Sequence, residues 1–231
     1  MPDMKRPHHQ RVLTLLNALS AELLQSTACF FGGGTRIVLE LNEYRESLDV
    51  DFLCADQNGY RELRNHVTNR SLGGIFSKPP TLLRDVRADM YGIRTFVEIE
   101  EQPVKFEIIR EARINLTGVS VGKLPVPCLS HSSAIAEKFL ANADRGLDKS
   151  TRSRDLVDLA FMVASWSEDD VNSGLELAQR AYGDVVLTLL RSALELFDDD
   201  SYRMQCLTEL EVGRKKTLET GMGLLAEMVK N

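Results

Sequence analysis

Asp49-Val50-Asp51 begins a short run, DVDFLC, that alternates acidic and apolar residues before becoming continuously apolar. On a strand, residues i and i+2 share a face, so both carboxylates converge on one spot. Two anions held this way repel each other unless a cation lies between them. Hard oxygen donors of this kind suit Mg2+, which is usually held by a few carboxylates together with substrate phosphates. An isolated D-x-D also serves as a solvated strand face. Upstream stands Gly32-Gly33-Gly34-Thr35, a glycine turn between a short apolar stretch and a helical pattern. Glycines let the backbone approach a ligand closely, and the free N–H groups of a following helix favour phosphate. The same turn is also ordinary punctuation. It lacks the G-K-[ST] of a Walker loop and the spacing of a dinucleotide fingerprint.

Downstream, VKFEII places Val104, Phe106 and Ile108 on one face of a strand and Lys105, Glu107 and Ile109 on the other. If this strand neighbours the one bearing Asp49 and Asp51, Glu107 completes a three-carboxylate cup. Such a cup holds up to two Mg2+ ions, one on a triphosphate and one activating an attacking hydroxyl.

The elements that must position these groups follow from periodicity. Residues 10–26 carry a helical stripe through Val12, Leu15, Leu16, Leu19 and Leu23. Residues 28–31 read as a strand entering the glycine turn, 35–41 as a short helix leaving it and 49–54 as a strand. A polar amphipathic helix is expected over 59–70, with strands over 82–90, 93–100 and 104–109. Past Pro125 and Pro127 nearly everything reads helical: 131–145, 152–165, 168–182, 184–198 and 201–229, the last broken near Gly213.

Composition bounds the function. With 231 residues, 43% hydrophobic and 27% charged, the chain suits one sizeable domain or two small ones and is neither disordered nor fibrous. No apolar run reaches the ~20 residues of a membrane span and no secretory signal is visible, so a cytoplasmic protein without membrane contact is expected. Cys29, Cys54, Cys128 and Cys206 are widely separated and only His8 and His9 are close, so no zinc pattern is present. The net charge of −6 argues against simple blanketing of nucleic acid, yet residues 61–130 carry 11 Lys+Arg against 8 Asp+Glu. A nucleic-acid partner would meet that middle stretch, through residues such as Arg61, Arg64, Arg84 and Arg94.

The order glycine turn, D-x-D, later strand acid is that of the DNA polymerase β nucleotidyltransferase superfamily. Within it, GGTRIVLELNEYRESLDVDF resembles the G-G-T…R-x-S-x-D-[hydrophobic]-D-F motif of AbiEii-type abortive-infection toxins, through Arg45, Ser47, Asp49 and Asp51. The stretch EKFLANADRGLDKSTRSRDLVDLAFM resembles the same family's K-x-x-A-x-x-x-R…R-D-x-x-D-L motif, through Lys138, Ala141, Arg145, Arg154, Asp155 and Asp158. Two departures stand out: Arg36 where the family often has a small apolar residue, and Glu107 rather than Asp.

The resemblance implies an α+β fold: a polymerase-β-like nucleotidyltransferase core with a mixed sheet and helices over 1–128, then an all-α lobe over 129–231. It implies Mg2+-dependent transfer of a nucleotidyl group from an NTP to an acceptor hydroxyl, with Mn2+ able to substitute. Gly33, Gly34 and Thr35 would cradle the triphosphate, and Arg45 and Ser47 would bind the nucleotide. Asp49 and Asp51 would carry metal, while Glu107 would hold a second ion or deprotonate the acceptor. Lys138 and Arg145 would neutralise phosphate charge, and Asp155 or Asp158 would orient Lys138 or act as general base. RNA, above all tRNA, is the implied acceptor, and a cognate antitoxin the implied protein partner. The alternatives are a protein or small-molecule acceptor, or a toxin acting mainly by binding protein.

Overall fold

A computed structural model describes residues 4–122 and 124–230. The chain divides into two compact units, Met1–Glu43 with Ser47–Ser130, and Tyr44–Glu46 with His131–Asn231. Nothing in the sequence marks Tyr44–Glu46 as part of the helical unit. Tertiary contacts put it there: the Tyr44 ring stacks on Phe161 with centroids 3.8 Å apart, and Glu46 N–H donates to the Leu210 carbonyl at 3.1 Å.

The first unit begins with two helices, α1 (Pro7–Asn17) and α2 (Ala21–Ser26), where the apolar stripe alone reads as one. Ser20 makes the break. Its hydroxyl caps α2 by accepting from Leu23 N–H at 3.3 Å, while its own N–H donates to the Ile75 carbonyl at 2.9 Å. Next come β1 (Cys29–Phe31), α3 (Gly33–Glu40), β2 (Val50–Cys54) and α4 (Gln57–Asn65). The remaining strands are β3 (Arg87–Ala88), β4 (Gly92–Ile99), β5 (Gln102–Arg110), β6 (Gly118–Val119) and β7 (Cys128–Leu129). The strand expected over 82–90 shrinks to β3 and one bridge between Leu82 and Val97. That stretch is mostly exposed, with only Val86 fully buried, so it has too little apolar surface to pack as a longer strand.

Among the described residues the sheet runs β3-β4-β5-β2-β1-β7-β6 and is mixed, with β2 parallel to β5 and β1 parallel to β7. One face is apolar. Phe31, Phe52, Phe106 and Phe76 form a chain of rings with successive centroids 5.4, 6.0 and 5.4 Å apart. Val12, Leu15 and Leu16 of α1 belong to the same buried cluster. Each such side chain contributes about 1.5–3 kcal/mol on burial. That cost of exposure fixes the register: slipping a strand by one residue would turn its whole apolar set outward.

The second unit holds α5 (His131–Arg145), α6 (Arg154–Val163), α7 (Glu168–Tyr182), α8 (Val185–Phe197), α9 (Asp200–Glu209) and α10 (Lys215–Met228). Every residue of α6 from Asp155 to Val163 is buried, so α6 is the unit's central helix. A Cβ at Gly221 would run into the Ala160 carbonyl, and its absence lets α10 lie against α6. The break expected near Gly213 falls over 210–214, where Glu211 and Arg214 have φ of 52° and 54°. No helix among the described residues is long and apolar enough to cross a membrane.

Candidate active site

The face of the sheet opposite the aromatic core carries the acidic groups. Parallel pairing sets Asp51 of β2 beside Glu107 of β5, and antiparallel pairing sets Arg94 of β4 on the other side of Glu107. Asp51, Glu107 and Arg94 therefore form one row across three strands. Asp49 precedes β2 and leaves its carboxylate half-exposed. The cation among these carboxylates is Lys105, two residues before Glu107 and on the same face. Its ammonium lies 2.5 Å from Glu107 Oε2 and 3.9 Å from Asp49 Oδ2. Burial lowers the affinity of Lys105 for its proton, but Glu107, Asp49 and Asp51 outweigh it and raise the pKa. Arg94 Nε adds a contact of 3.3 Å to Glu107 Oε1. Among the described residues no three His, Cys, Asp or Glu groups are gathered as a metal cage. The donors are nonetheless hard oxygens, the ligand type that suits a divalent cation.

Gly33 opens α3 with φ of 65°, in the left-handed region. A Cβ there would lie 2.9 Å from the Asp51 Cβ and closer still to its Oδ2. Glycine is thus required twice, for the backbone and for the approach of Asp51 to the start of α3. Gly33→Ala is expected to cost about 1–3 kcal/mol of backbone strain and to push Asp51 out of the row. Thermal melting and label transfer from NTP would check it; a fully active Gly33→Ala protein would contradict this placement.

Thr35 and Ser47 meet within the first unit. Their hydroxyls are 2.8 Å apart, and Thr35 Oγ1 also donates to the Asp49 carbonyl. Both side chains are buried, so they tie the Asp49 loop to α3. Ser47 N–H in turn donates to His9 Nε2 at 3.3 Å, and His9 Nδ1 lies 2.7 Å from Glu43 Oε1. His9 is fully buried, although the polar character of the N-terminal sequence gives no hint of it. Its place on the α1 stripe with Val12, Leu13 and Leu16 was the available signal. Burial lowers the His9 pKa against the opposing pull of Glu43, so the folded chain keeps the ring neutral more readily than the unfolded chain. This contribution to stability is present above the unfolded pKa of about 6.5 and is lost as pH falls below it. Denaturant midpoints in mildly acidic buffers should fall for the native chain and fall less for His9→Gln. Arg36, also fully buried, donates to the Leu129 carbonyl at 3.0 Å and pairs with Glu40 at 2.9 Å, which accounts for a large residue at a position of small ones.

The remaining motif residues assemble inside the helical unit. Asp158 accepts a forked pair of bonds from Arg45, 2.7 and 2.8 Å, and another from the Tyr44 hydroxyl at 2.5 Å. Lys138 bridges Asp158 at 2.7 Å and Asp155 at 2.8 Å. Arg145 closes the chain on Asp155 with bonds of 2.7 and 3.1 Å. Burial would raise both aspartate pKa values, yet Lys138 with Arg145 at Asp155, and Arg45 with Lys138 at Asp158, hold both carboxyls below their usual range. Burial likewise opposes the charge on Lys138, and the two aspartates overcome it and raise its pKa. Three cations thus surround two carboxylates. Both aspartates grip Lys138, and neither has the raised pKa of a carboxyl poised to take a proton near neutrality. The Arg45 guanidinium is bound in this cluster rather than open to a ligand. Spacing alone did not reveal Tyr44, Lys105 or Arg94 as site neighbours, although the alternation in VKFEII already put Lys105 on the face of Glu107.

A mixed sheet with a glycine turn beside paired strand carboxylates, followed by a helical unit, is the arrangement that the resemblance to nucleotidyltransferases implies. The family model described as "Nucleotidyl transferase AbiEii toxin, Type IV TA system" matches residues 14–207, and the chain belongs to that family. Solved structures agree on the fold. A protein from H. pylori assigned as a nucleotidyltransferase is 20% identical with a TM-score of 0.54, covering 96% of this chain and 92% of that one. JHP933 from Helicobacter pylori is 18% identical with a TM-score of 0.53, covering 95% and 91%. No curated protein matches the sequence.

Proposed function

We propose that the chain transfers a nucleotidyl group from an NTP to an acceptor hydroxyl, with RNA as the acceptor, as the toxin of a toxin–antitoxin pair. The observation that carries this reading is the row of Asp51 and Glu107 on adjacent parallel strands, facing away from the core and closed by a cation. In the reaction the acceptor oxygen bonds to the α-phosphorus, the bond from that phosphorus to the bridging oxygen breaks, and pyrophosphate leaves. The acceptor proton passes to a cup carboxylate, with Glu107 the candidate. Asp49, Asp51 and Glu107 would hold Mg2+, or Mn2+ in its place, which when bound supplies charge neutralisation at the triphosphate. Gly33 and Gly34 bring backbone N–H groups toward the phosphates, while Thr35 and Ser47 hold the Asp49 loop in place. Lys105 keeps the carboxylates from repelling one another.

In the helical unit, Asp155 and Asp158 are assigned the task of orienting Lys138. The cluster has three cations for two carboxylates, and Arg145, its exposed cation, suits neutralisation of phosphate. A cognate antitoxin is the protein partner this role requires. The test incubates purified protein with each NTP, Mg2+ and total RNA, then sequences RNA ends. Nucleotides added to defined RNA ends are expected; label appearing only on protein or on small molecules would replace RNA as the acceptor.

A further inference from the structure

The first unit carries a second polar feature that the nucleotide site does not use. Gln57, Tyr60, Arg61 and Arg64 lie at i, i+3, i+4 and i+7 of α4, so they form one stripe of that helix. With Met90 and Arg110 they line a pocket of about 150 Å³. That is smaller than the ~300–1,000 Å³ of a small-molecule site, so it suits one compact group. Three arginines line this space and no Asp or Glu does. Arg94 and Arg113 of the same unit each hold a carboxylate, whereas Arg61, Arg64 and Arg110 make no ion pair among the described residues. Among the described residues the hydrogen-bond partner of the Arg61 side chain is the neutral Asn58 Oδ1, at 2.8 Å. Arg61 and Arg64 are exposed and Arg110 is half-buried, so water screens the three charges, and an anion between them would relieve the repulsion that remains.

The wall is built rather than incidental. Buried Tyr60 donates its hydroxyl to the Asp89 carbonyl at 2.8 Å, and Arg110 N–H donates to the Tyr91 carbonyl at 2.9 Å, so α4 and β5 both anchor the turn before β4. The turn's own carboxylate, Asp89, is directed to the N–H groups of Tyr91 and Gly92 and to Arg94. On this turn Met90 and Tyr91 are 56% and 65% exposed, leaving apolar and aromatic surface next to the cations. Cationic pockets flanked by an open aromatic ring suit a strand of nucleic acid, whose phosphate takes the charge and whose base takes the ring. Arg110 ends β5 three residues after Glu107, about 10 Å along the strand and, by the strand's alternation, on the face opposite the cup.

We propose that the Arg61–Arg64–Arg110 pocket is a phosphate-binding subsite for the acceptor strand, with Tyr91 as a stacking platform. It grips a backbone phosphate of that strand where it passes the end of β5, on the other face of the sheet from the cup. The inference rests on the proposed nucleotidyl transfer to RNA and adds the place where that RNA is held.

The test compares the native chain with Arg61→Ala/Arg64→Ala, Arg110→Gln and Tyr91→Ala, all first shown to melt like the native protein. Two titrations are run: a fluorescent single-stranded RNA across a salt series, and Mg2+-NTP by calorimetry. The double variant should weaken RNA binding by on the order of tenfold or more and reduce its salt slope by about 1 per arginine, with NTP affinity unchanged. Tyr91→Ala should weaken RNA without altering the slope. The subsite is refuted if folded Arg61→Ala/Arg64→Ala and Arg110→Gln both bind RNA with native affinity and slope. It is equally refuted if NTP affinity falls in step, which would make the pocket part of the nucleotide site, or if inorganic phosphate or a protein partner competes where RNA does not bind. Native NTP binding without RNA binding sinks the subsite alone; failure of both titrations sinks the transfer reading with it.

Discussion

Asp51→Asn is expected to lower nucleotidyl transfer by about 10²–10³-fold while leaving the fold intact. Asparagine keeps the shape of the side chain and the backbone pairing of β2 with β5, so the apolar face keeps its register. What disappears is one negative charge beside Glu107, at the start of α3 and among the groups that raise the Lys105 pKa. If catalysis in this class is mainly positioning and charge neutralisation, that charge matters far more to rate than to stability. Glu107→Gln should behave alike, and the double variant should lose little beyond the worse single one, because the carboxylates act as a unit. Added Mg2+ should raise the melting temperature of the native chain and not of Asp49→Ala/Asp51→Ala. Near-native transfer by a folded Asp51→Asn protein would remove the cup from the mechanism.

The second large effect lies in the helical unit. Asp158 is completely buried and holds Arg45, Lys138 and Tyr44 at once. Asp158→Ala strands the buried Arg45 and leaves Lys138 with Asp155 alone, and breaking a buried pair from one side costs about 3–5 kcal/mol. Urea unfolding should show that loss as a lower midpoint. Arg45→Met/Asp158→Leu should be less destabilised than Asp158→Ala, since replacing both partners removes the uncompensated charge; additive losses in that cycle would show that the pair is not coupled. The sign of the pH dependence follows from the same contacts. Asp155 and Asp158 have depressed folded pKa values, so their contribution is present above about 3.9 and is lost as pH falls below it. Lys138 has a raised folded pKa, so its contribution holds below about 10.4 and is lost as pH climbs past it. Stability should therefore fall at both extremes, and the Arg45→Met/Asp158→Leu variant should show a shallower acid limb.

Sites of strong local pattern were legible in advance. The alternation of VKFEII determined which residues of β5 face the core and which face the cup. The i, i+3, i+7 spacing of Lys138, Ala141 and Arg145 determined one face of α5. Both follow from backbone periods of 2 and 3.6, which a linear sequence displays directly. The break between α1 and α2 was not legible, because Ser20 ends the helix partly through a bond to Ile75, distant in the chain. His9 was legible only through its place on the α1 stripe; its partners, Glu43 and Ser47, arrive from more than thirty residues away.

Residue types and spacing were enough to establish an α+β chain with an acidic strand pair behind a glycine turn and a helical C-terminal half. The resemblance to the AbiEii motif placed Arg45, Ser47, Asp49 and Asp51 together. Only the folded chain separates that motif. Tyr44–Glu46 carries Arg45 into the helical unit against Asp158, while Ser47 returns to the first unit against Thr35. It also puts Asp51 beside Glu107 and fills the cup with Lys105. The division has a physical cause. Periodicity is written by near neighbours, whereas ion pairs spanning some sixty to more than a hundred residues depend on which buried faces meet, and a charge reveals its partner only when both leave water together.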